Sequence, residues 1–215
     1  MIVWREQSWE ALVRGEQCDP RWSDYGRYAQ LRARGLRDEA LAAAVRCAEA
    51  LNAQDDSTRS QFTAWVCSQV LAEGVVRSMV LPHPIEQVVL RELWIGQARN
   101  DARATVWLVR WFPVQVMASQ KYAVDSIGDF LRNACLHDPS NRELRAMLAA
   151  HLVRWVRADV ADLAHGRYDG EPEMDLLRLD EAEDLVSVGD AIMGEIVNLR
   201  ETVRSYLRRC DVPEA

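Results

Sequence analysis

The sequence contains little lysine and no segment of membrane-spanning character. Lys121 is the single lysine among 26 basic residues. No apolar run approaches the roughly 18 residues that a transmembrane helix requires. The first ten residues, MIVWREQSWE, place acids and tryptophan where a secretion signal has a basic start and an apolar centre. We therefore expect a cytoplasmic protein.

Catalytic and cofactor signatures are also absent. The chain has no G-x-S-x-G, no glycine-rich phosphate loop, no H-E-x-x-H and no dinucleotide fingerprint. Its five cysteines are scattered without C-x-x-C spacing, so we expect reduced thiols and no cofactor. The net charge of −7 argues against nucleic acid or an anionic membrane as partner, because either needs a basic face. The charge permits a basic protein partner.

What the sequence does contain is helical periodicity, most clearly in a helix pair over Asp19–Asn52. Asp19 is a predicted N-cap, and Gly35 is a predicted C-cap that tolerates a positive φ. Small residues at Ala40 and Ala44 form one stripe of the second helix, so the two helix axes can approach closely.

This hairpin resembles a tetratricopeptide repeat, whose pattern places a large apolar residue in the first helix, a glycine at the turn and small residues in the second. The residues in those places are Leu31, Gly35, Ala40, Ala44 and Cys47, and a second partial match includes Leu131, Ala134 and Pro139. The resemblance covers about a third of the chain and implies a binding scaffold without catalytic residues. HEAT-like and unrelated helical folds remain alternatives.

The whole chain reads as one all-α domain over residues 1–215. We expect eight or nine helices, stacked as antiparallel hairpins in tetratricopeptide-like manner or arranged as a globular bundle. A short helix over 8–14 opens the chain, Asn100 or Asp101 is the predicted N-cap of a later helix, and Pro113 predicts a kink or early stop. Capping boxes are predicted at Ser140 and at Asp180. The second follows an acidic loop over 167–176 and opens a long C-terminal helix over 181–210, which can also pair with its twin in a homodimer.

Two groups of residues are candidate contact surfaces. One is aromatic and basic, because tryptophan and arginine dominate the energetics of protein interfaces; packing between the hairpins is the preferred explanation of its tryptophans. The other is acidic and lies in the predicted loop; it fits a basic partner, although a solvated loop is the preferred explanation. The first group is Trp94, Arg103, Trp107, Arg110 and Trp111, and the second is Asp169, Glu171, Glu173 and Asp175.

A metal-dependent hydrolase of helical HD type is the alternative function, because adjacent His137 and Asp138 resemble a metal-ligand pair of that family. A turn before a helix explains the same dipeptide structurally. His151, Asp162 and His165 share one side of a predicted helix, but His151 lies about 16 Å along the axis from the other two. Those three cannot converge on one metal.

These observations predict a non-enzymatic protein-interaction module. It is of adaptor or chaperone type, or an inhibitor of a basic protein in the manner of a bacterial immunity protein or antitoxin. Charge would then speed association with the partner, and buried aromatic and arginine side chains would supply the affinity.

Overall fold

The computed structural model describes residues 20–70, 81–119, 125–187 and 189–210. Within these ranges the chain forms ten α-helices and two 3₁₀ turns, without a strand, so the predicted all-α fold class is confirmed. No helix in these ranges is both long and apolar enough to cross a membrane. The predicted opening helix over 8–14 and the Asp19 cap lie outside the described residues.

The chain divides into two compact units, residues 1–112 and 113–215, and the single domain over 1–215 stays a prediction. The first unit begins with a 3₁₀ turn at Pro20–Trp22. Five α-helices follow, and α4 packs on both α2 and α3. They are α1 (Ser23–Ala33), α2 (Arg37–Asn52), α3 (Asp56–Val70), α4 (His83–Ala98) and α5 (Ala102–Trp111).

The hairpin of α1 and α2 has the predicted form. Gly35 turns the chain at φ +76°, in the left-handed region that glycine occupies without strain. Ala40, Ala44 and Cys47 are buried on the α2 stripe. Tyr25 from α1 meets Phe62 and Trp65 of α3 edge-on, with ring centroids 5.7 and 5.4 Å apart. Aromatic side chains therefore fill the space between these helices, an arrangement that suits their ring quadrupoles.

Two predicted helix boundaries are confirmed, one within the first unit and one at its C-terminal end. Asp101 caps α5, and its carboxylate accepts a hydrogen bond of 2.9 Å from the Arg103 amide. The helical run stops before Pro113, since α5 ends at Trp111 and the next helix starts at Pro113. Proline removes a backbone donor that a continuous helix would need.

The second unit is centred on one helix, α8, which packs against α7, α9 and α10. Its fully buried side chains are apolar, and they include Leu148, Leu152 and Val156, each at most 2% exposed. A 3₁₀ turn at Ala161–His165 follows α8. The helices are α6 (Pro113–Ser119), α7 (Ser126–His137), α8 (Arg142–Asp159), α9 (Pro172–Leu185) and α10 (Ala191–Cys210).

The C-terminal region differs from the prediction of a loop over 167–176 and one helix over 181–210. The structure has two helices there, because the chain turns between α9 and α10. Gly189 adopts φ +98°, and the Ser187 amide donates a 2.8 Å hydrogen bond to the Asp190 carboxylate. The last helix has 20 residues and a length of about 30 Å, whereas a helix over 181–210 would be about 45 Å long.

Both predicted capping boxes are corrected by the structure. Asn141 is the N-cap of α8 and accepts from the Leu144 amide at 3.1 Å, whereas the Ser140 hydroxyl donates to Asp138. Asp180 lies inside α9, which starts at Pro172. Proline fits the first turn of a helix, where its missing N–H costs nothing.

Candidate functional site

The aromatic and basic residues predicted as a contact surface lie on the hairpin of α4 and α5. Arg103 and Arg110 are exposed, and Trp94 and Trp107 are half-buried. Trp111 is only 8% exposed and belongs to the core of the first unit, so it is not available as a surface anchor. The structure thus keeps four of the five residues accessible on one hairpin.

The predicted acidic surface separates into three different environments. Asp175 is fully buried on the inner face of α9, which contradicts its assignment to a contact surface. Asp169 is exposed but forms an ion pair with Arg167, which lowers the pKa of its carboxyl group. Glu171 and Glu173 are exposed and form no ion pair with any described residue.

His137 and Asp138 have structural roles at the end of α7. His137 is in the last turn, where a basic side chain is favourable to the helix dipole. Asp138 accepts hydrogen bonds from Ser140 and from Asn141, at 3.0 and 3.1 Å. Among the described ranges, no group of three or more His, Cys, Asp or Glu side chains is arranged to hold a metal ion. The hydrolase interpretation therefore gains no support from geometry.

A polar network that the sequence did not reveal begins at the N-terminus of α7. Asp125 caps this helix by accepting from the Gly128 amide, and the same carboxylate lies 2.7 Å from Nε2 of His151 on α8. Burial acts to raise the pKa of Asp125, but the hydrogen bonds from His151 and Gly128 outweigh it and the pKa is lowered. The carboxylate form of Asp125 is therefore the one that joins α7 to α8.

Arg132 extends this network to α9. Its guanidinium donates to both carboxylate oxygens of Glu181, at 2.8 and 3.0 Å, and also contacts Asp125 and Asp129. The hydrogen bonds from Glu181, together with these negative charges, raise the pKa of Arg132 against the opposing effect of burial. The bidentate geometry fixes the orientation of the two side chains as a single contact cannot.

A second polar cluster lies at the start of α9. The Asp175 carboxylate accepts from the Tyr168 hydroxyl at 2.6 Å and from Arg178 at 2.5 Å. Arg178 lies over the Trp155 ring of α8, 4.8 Å from its centroid, and Tyr168 stacks on Tyr206 of α10 with centroids 4.8 Å apart. Through these contacts one buried carboxylate links α8, α9, α10 and the segment before α9.

The outer surface of α9 is exposed to solvent and combines apolar with acidic side chains. We use this name for five exposed residues that lie within about 120° of one another around the helix, at 100° per residue. Met174 and Leu177 are 42% and 59% exposed, and acids flank them on the same side. The five residues are Glu173, Met174, Leu177, Asp180 and Asp184.

A cleft of about 470 Å³ lies where the first turn of α8 meets the chain between α9 and α10. Arg142 and Arg145 line it from α8. Arg145 donates to the carbonyl oxygens of Asp184 and Leu185, at 2.9 and 3.1 Å, and so caps the C-terminus of α9. This arginine is engaged in holding the helix end, which favours a structural role for the cleft wall.

These features define an all-α protein with a polar network inside its second unit and an apolar and acidic surface outside it. No protein-family model, curated protein or solved structure matches the chain. The tetratricopeptide-like resemblance therefore stays a prediction based on the residues of the helix hairpins.

Proposed function

We propose that this protein is a non-enzymatic interaction module that binds a basic protein through the outer surface of α9. The observation that carries the proposal is that α9 turns Leu177 and Met174 towards solvent while it buries Asp175. The helix also buries Leu179 and Ala182, as amphipathic helices do, so Met174 and Leu177 are apolar side chains in addition to the buried stripe. Neighbouring apolar side chains left in water are typical of a surface that another protein covers.

The charge of this surface indicates what kind of partner fits it. Six acids and one arginine lie in α9. Internal arginines bind several of these acids, since Arg200 pairs with Asp180 and with Glu183, and Arg132 pairs with Glu181. Glu173 and Asp184 have no cation partner among the described residues, and neither does Glu171 just before the helix.

A partner segment with lysine or arginine beside apolar side chains complements this arrangement. The cations would meet Glu171, Glu173 and Asp184, while the apolar residues would cover Leu177 and Met174. Such charges act mainly on the rate of association, whereas the desolvated apolar centre supplies most of the affinity. Adaptor, chaperone and immunity-type inhibitor are all compatible with this mode of binding.

Site-specific cross-linking in cells tests the proposal. A photo-reactive amino acid is placed at Leu177 and, as the matched control, at the exposed Glu201 of α10. We expect one basic protein to be cross-linked from position 177 and not from position 201. Equal labelling from both positions, or no labelled protein from position 177, would refute α9 as the binding surface.

Charge variants then test the electrostatic part with the captured partner. The triple variant Glu171→Gln, Glu173→Gln, Asp184→Asn should slow association by about tenfold at low salt and flatten its salt dependence. The control Asp169→Asn removes a carboxylate that Arg167 already neutralises, so it should change the rate by less than about twofold. If neither the triple variant nor Asp169→Asn changes the association rate, the charge of this surface does not contribute to binding.

A further inference from the structure

The solvent-facing side of α5 is basic and aromatic. Arg103, Trp107 and Arg110 lie within about 60° of one another around this helix, at 100° per residue. The two arginines are exposed, and the tryptophan between them is half-buried. We call these three residues the basic stripe of α5. The packing of the helix sets its position, because the opposite side of α5, which includes Thr105 and Leu108, is buried.

The composition of the basic stripe indicates what fits it. The acid nearest to Arg103 in the chain, Asp101, caps the helix by accepting from the Arg103 amide, and the Arg103 guanidinium forms no ion pair with another described residue. A tryptophan flanked by arginines is typical of interface centres, where the indole fills an apolar contact and the guanidinium groups bind carboxylates. A complementary surface therefore has acids on either side of an apolar side chain.

The outer surface of α9 has that composition with the same spacing. Glu173, Leu177 and Asp180 occupy positions i, i+4 and i+7, as the three residues of the basic stripe do in α5. In each helix the two charged residues are about 10 Å apart along the axis, with the apolar residue between them. Met174 adjoins Leu177 on this surface, and a thioether packs favourably against an indole ring. Asp180 is paired with Arg200, whereas Glu173 has no cation partner among the described residues.

We propose that the basic stripe of α5 in one copy of this protein docks on the outer surface of α9 in a second copy. The guanidinium groups pair with the acids of that surface, and Trp107 covers Leu177 and Met174. The inference rests on the proposed function in one respect, since both use the outer surface of α9. A basic partner protein competes with the second copy for this surface, and self-association covers its apolar side chains while no partner is bound.

The contact joins two different surfaces, so it is heterologous. Each copy offers one basic stripe and one outer surface of α9, and contacts of this kind build rings or open chains. One helix-on-helix contact is at the small end of specific interfaces, so we expect association at concentrations on the order of 100 μM. Added salt should weaken it, because exposed charges are screened beyond about 10 Å at 0.1 M ionic strength.

Charge reversal in the purified full-length chain tests the pairing. One variant, Arg103→Glu with Arg110→Glu, makes the stripe acidic. The other, Glu173→Arg with Asp184→Arg, makes the outer surface of α9 basic, and neither acid has a cation partner among the described residues. In sedimentation equilibrium we expect each variant alone to have a dissociation constant at least about tenfold above that of the native chain. An equal mixture should associate as the native chain does, because each surface then meets its complement on the other variant.

The control Arg204→Glu with Arg209→Glu reverses two exposed arginines of α10 and gives the same net charge as the stripe variant. It should associate as the native chain does. Circular dichroism checks the fold of each variant, and if the stripe variant unfolds, Arg103→Gln should still raise the dissociation constant about threefold.

Three results would overturn the proposal. They are an equal loss of association in the control, a mixture that stays monomeric, and a native chain that is monomeric at about 1 mM. All three concern the purified chain alone, so they leave the cross-linking of a basic protein from position 177 as a separate result. Failure of that cross-linking would in turn leave the sedimentation measurements valid.

Discussion

Removal of one hydroxyl group, in Tyr168→Phe, isolates the hydrogen bond that ties the segment between α8 and α9, the joining segment, to buried Asp175. The substitution keeps the ring and hence its stacking on Tyr206 at 4.8 Å. It removes only the 2.6 Å hydrogen bond to the Asp175 carboxylate. The carboxylate retains Arg178 but loses a donor that water cannot replace, because Asp175 is 0% exposed.

The expected magnitude follows from this geometry. A hydrogen bond to a charged group contributes about 1.5–3 kcal/mol, and loss of a donor to a buried acceptor costs a similar amount. The Tyr168 side chain is half-buried, which places the effect in the lower half of that range, at about 2 kcal/mol. With a urea dependence of about 2 kcal/mol per M, the unfolding midpoint of the second unit should fall by about 1 M.

Urea unfolding at pH 7, followed by circular dichroism and by the Trp155 indole resonance, measures this shift. The matched control is Tyr206→Phe, which keeps the same ring pair and removes the hydroxyl that does not contact Asp175. We expect the control to change the unfolding free energy by less than about 0.5 kcal/mol. Equal effects of the two substitutions, or a Tyr168→Phe effect below about 0.5 kcal/mol, would show that the hydroxyl does not hold the segment.

Two further predictions concern other parts of the structure. Arg59→Met should destabilise the first unit by about 2 kcal/mol in urea unfolding, because the buried Glu92 carboxylate loses its 2.7 Å partner and keeps Arg91 at 3.7 Å. The control Arg99→Met removes an exposed ion pair and should lower the free energy of unfolding by less than about 0.5 kcal/mol. A similar loss in both variants would show that burial of Glu92 does not decide the effect. In timed alkylation at pH 8, Cys210 should react well before Cys67, whose thiol is buried with a raised pKa. Simultaneous labelling would refute this order.

The parts of the fold that the sequence predicts are those with local signals. The α1–α2 hairpin depends on a glycine that takes a positive φ and on small residues three and four apart, all within one stretch of chain. The Asp101 cap and the stop before Pro113 depend on neighbours within three residues. Signals of this kind act before tertiary contacts form, so they can be read without a structure.

The polar network was not predictable for the opposite reason. Asp125 and His151 are 26 residues apart, and Arg132 and Glu181 are 49 apart. No sequence motif links the two residues of either pair. Each residue also has an ordinary local explanation, as a helix cap or as a solvated charge. Only the packing of α7 and α9 against α8 brings these side chains together.

The sequence does not indicate helix α9 because both of its faces are mixed. Its inward face places Asp175 beside the buried Leu179 and Ala182, and its outward face places Met174 and Leu177 among acids, so the usual apolar stripe is weak and the stretch resembles an acidic loop. Neither the buried carboxylate nor the exposed apolar pair is what stability alone would favour. Well-packed apolar residues often stabilise a core as much as a buried ion pair does, and polar residues suit an exposed helix face better than leucine.

Local rules broken on both sides of one helix are expected where function constrains the residues. The inner face has a use if Asp175 must hold the joining segment, since an apolar residue could not accept hydrogen bonds from Tyr168 and Arg178. The outer face has a use if Leu177 must meet a partner, since a polar residue there would weaken the desolvated centre of the contact. The two uses are separable, because Tyr168→Phe removes the hydrogen bond to Asp175 without changing any residue of the outer surface of α9.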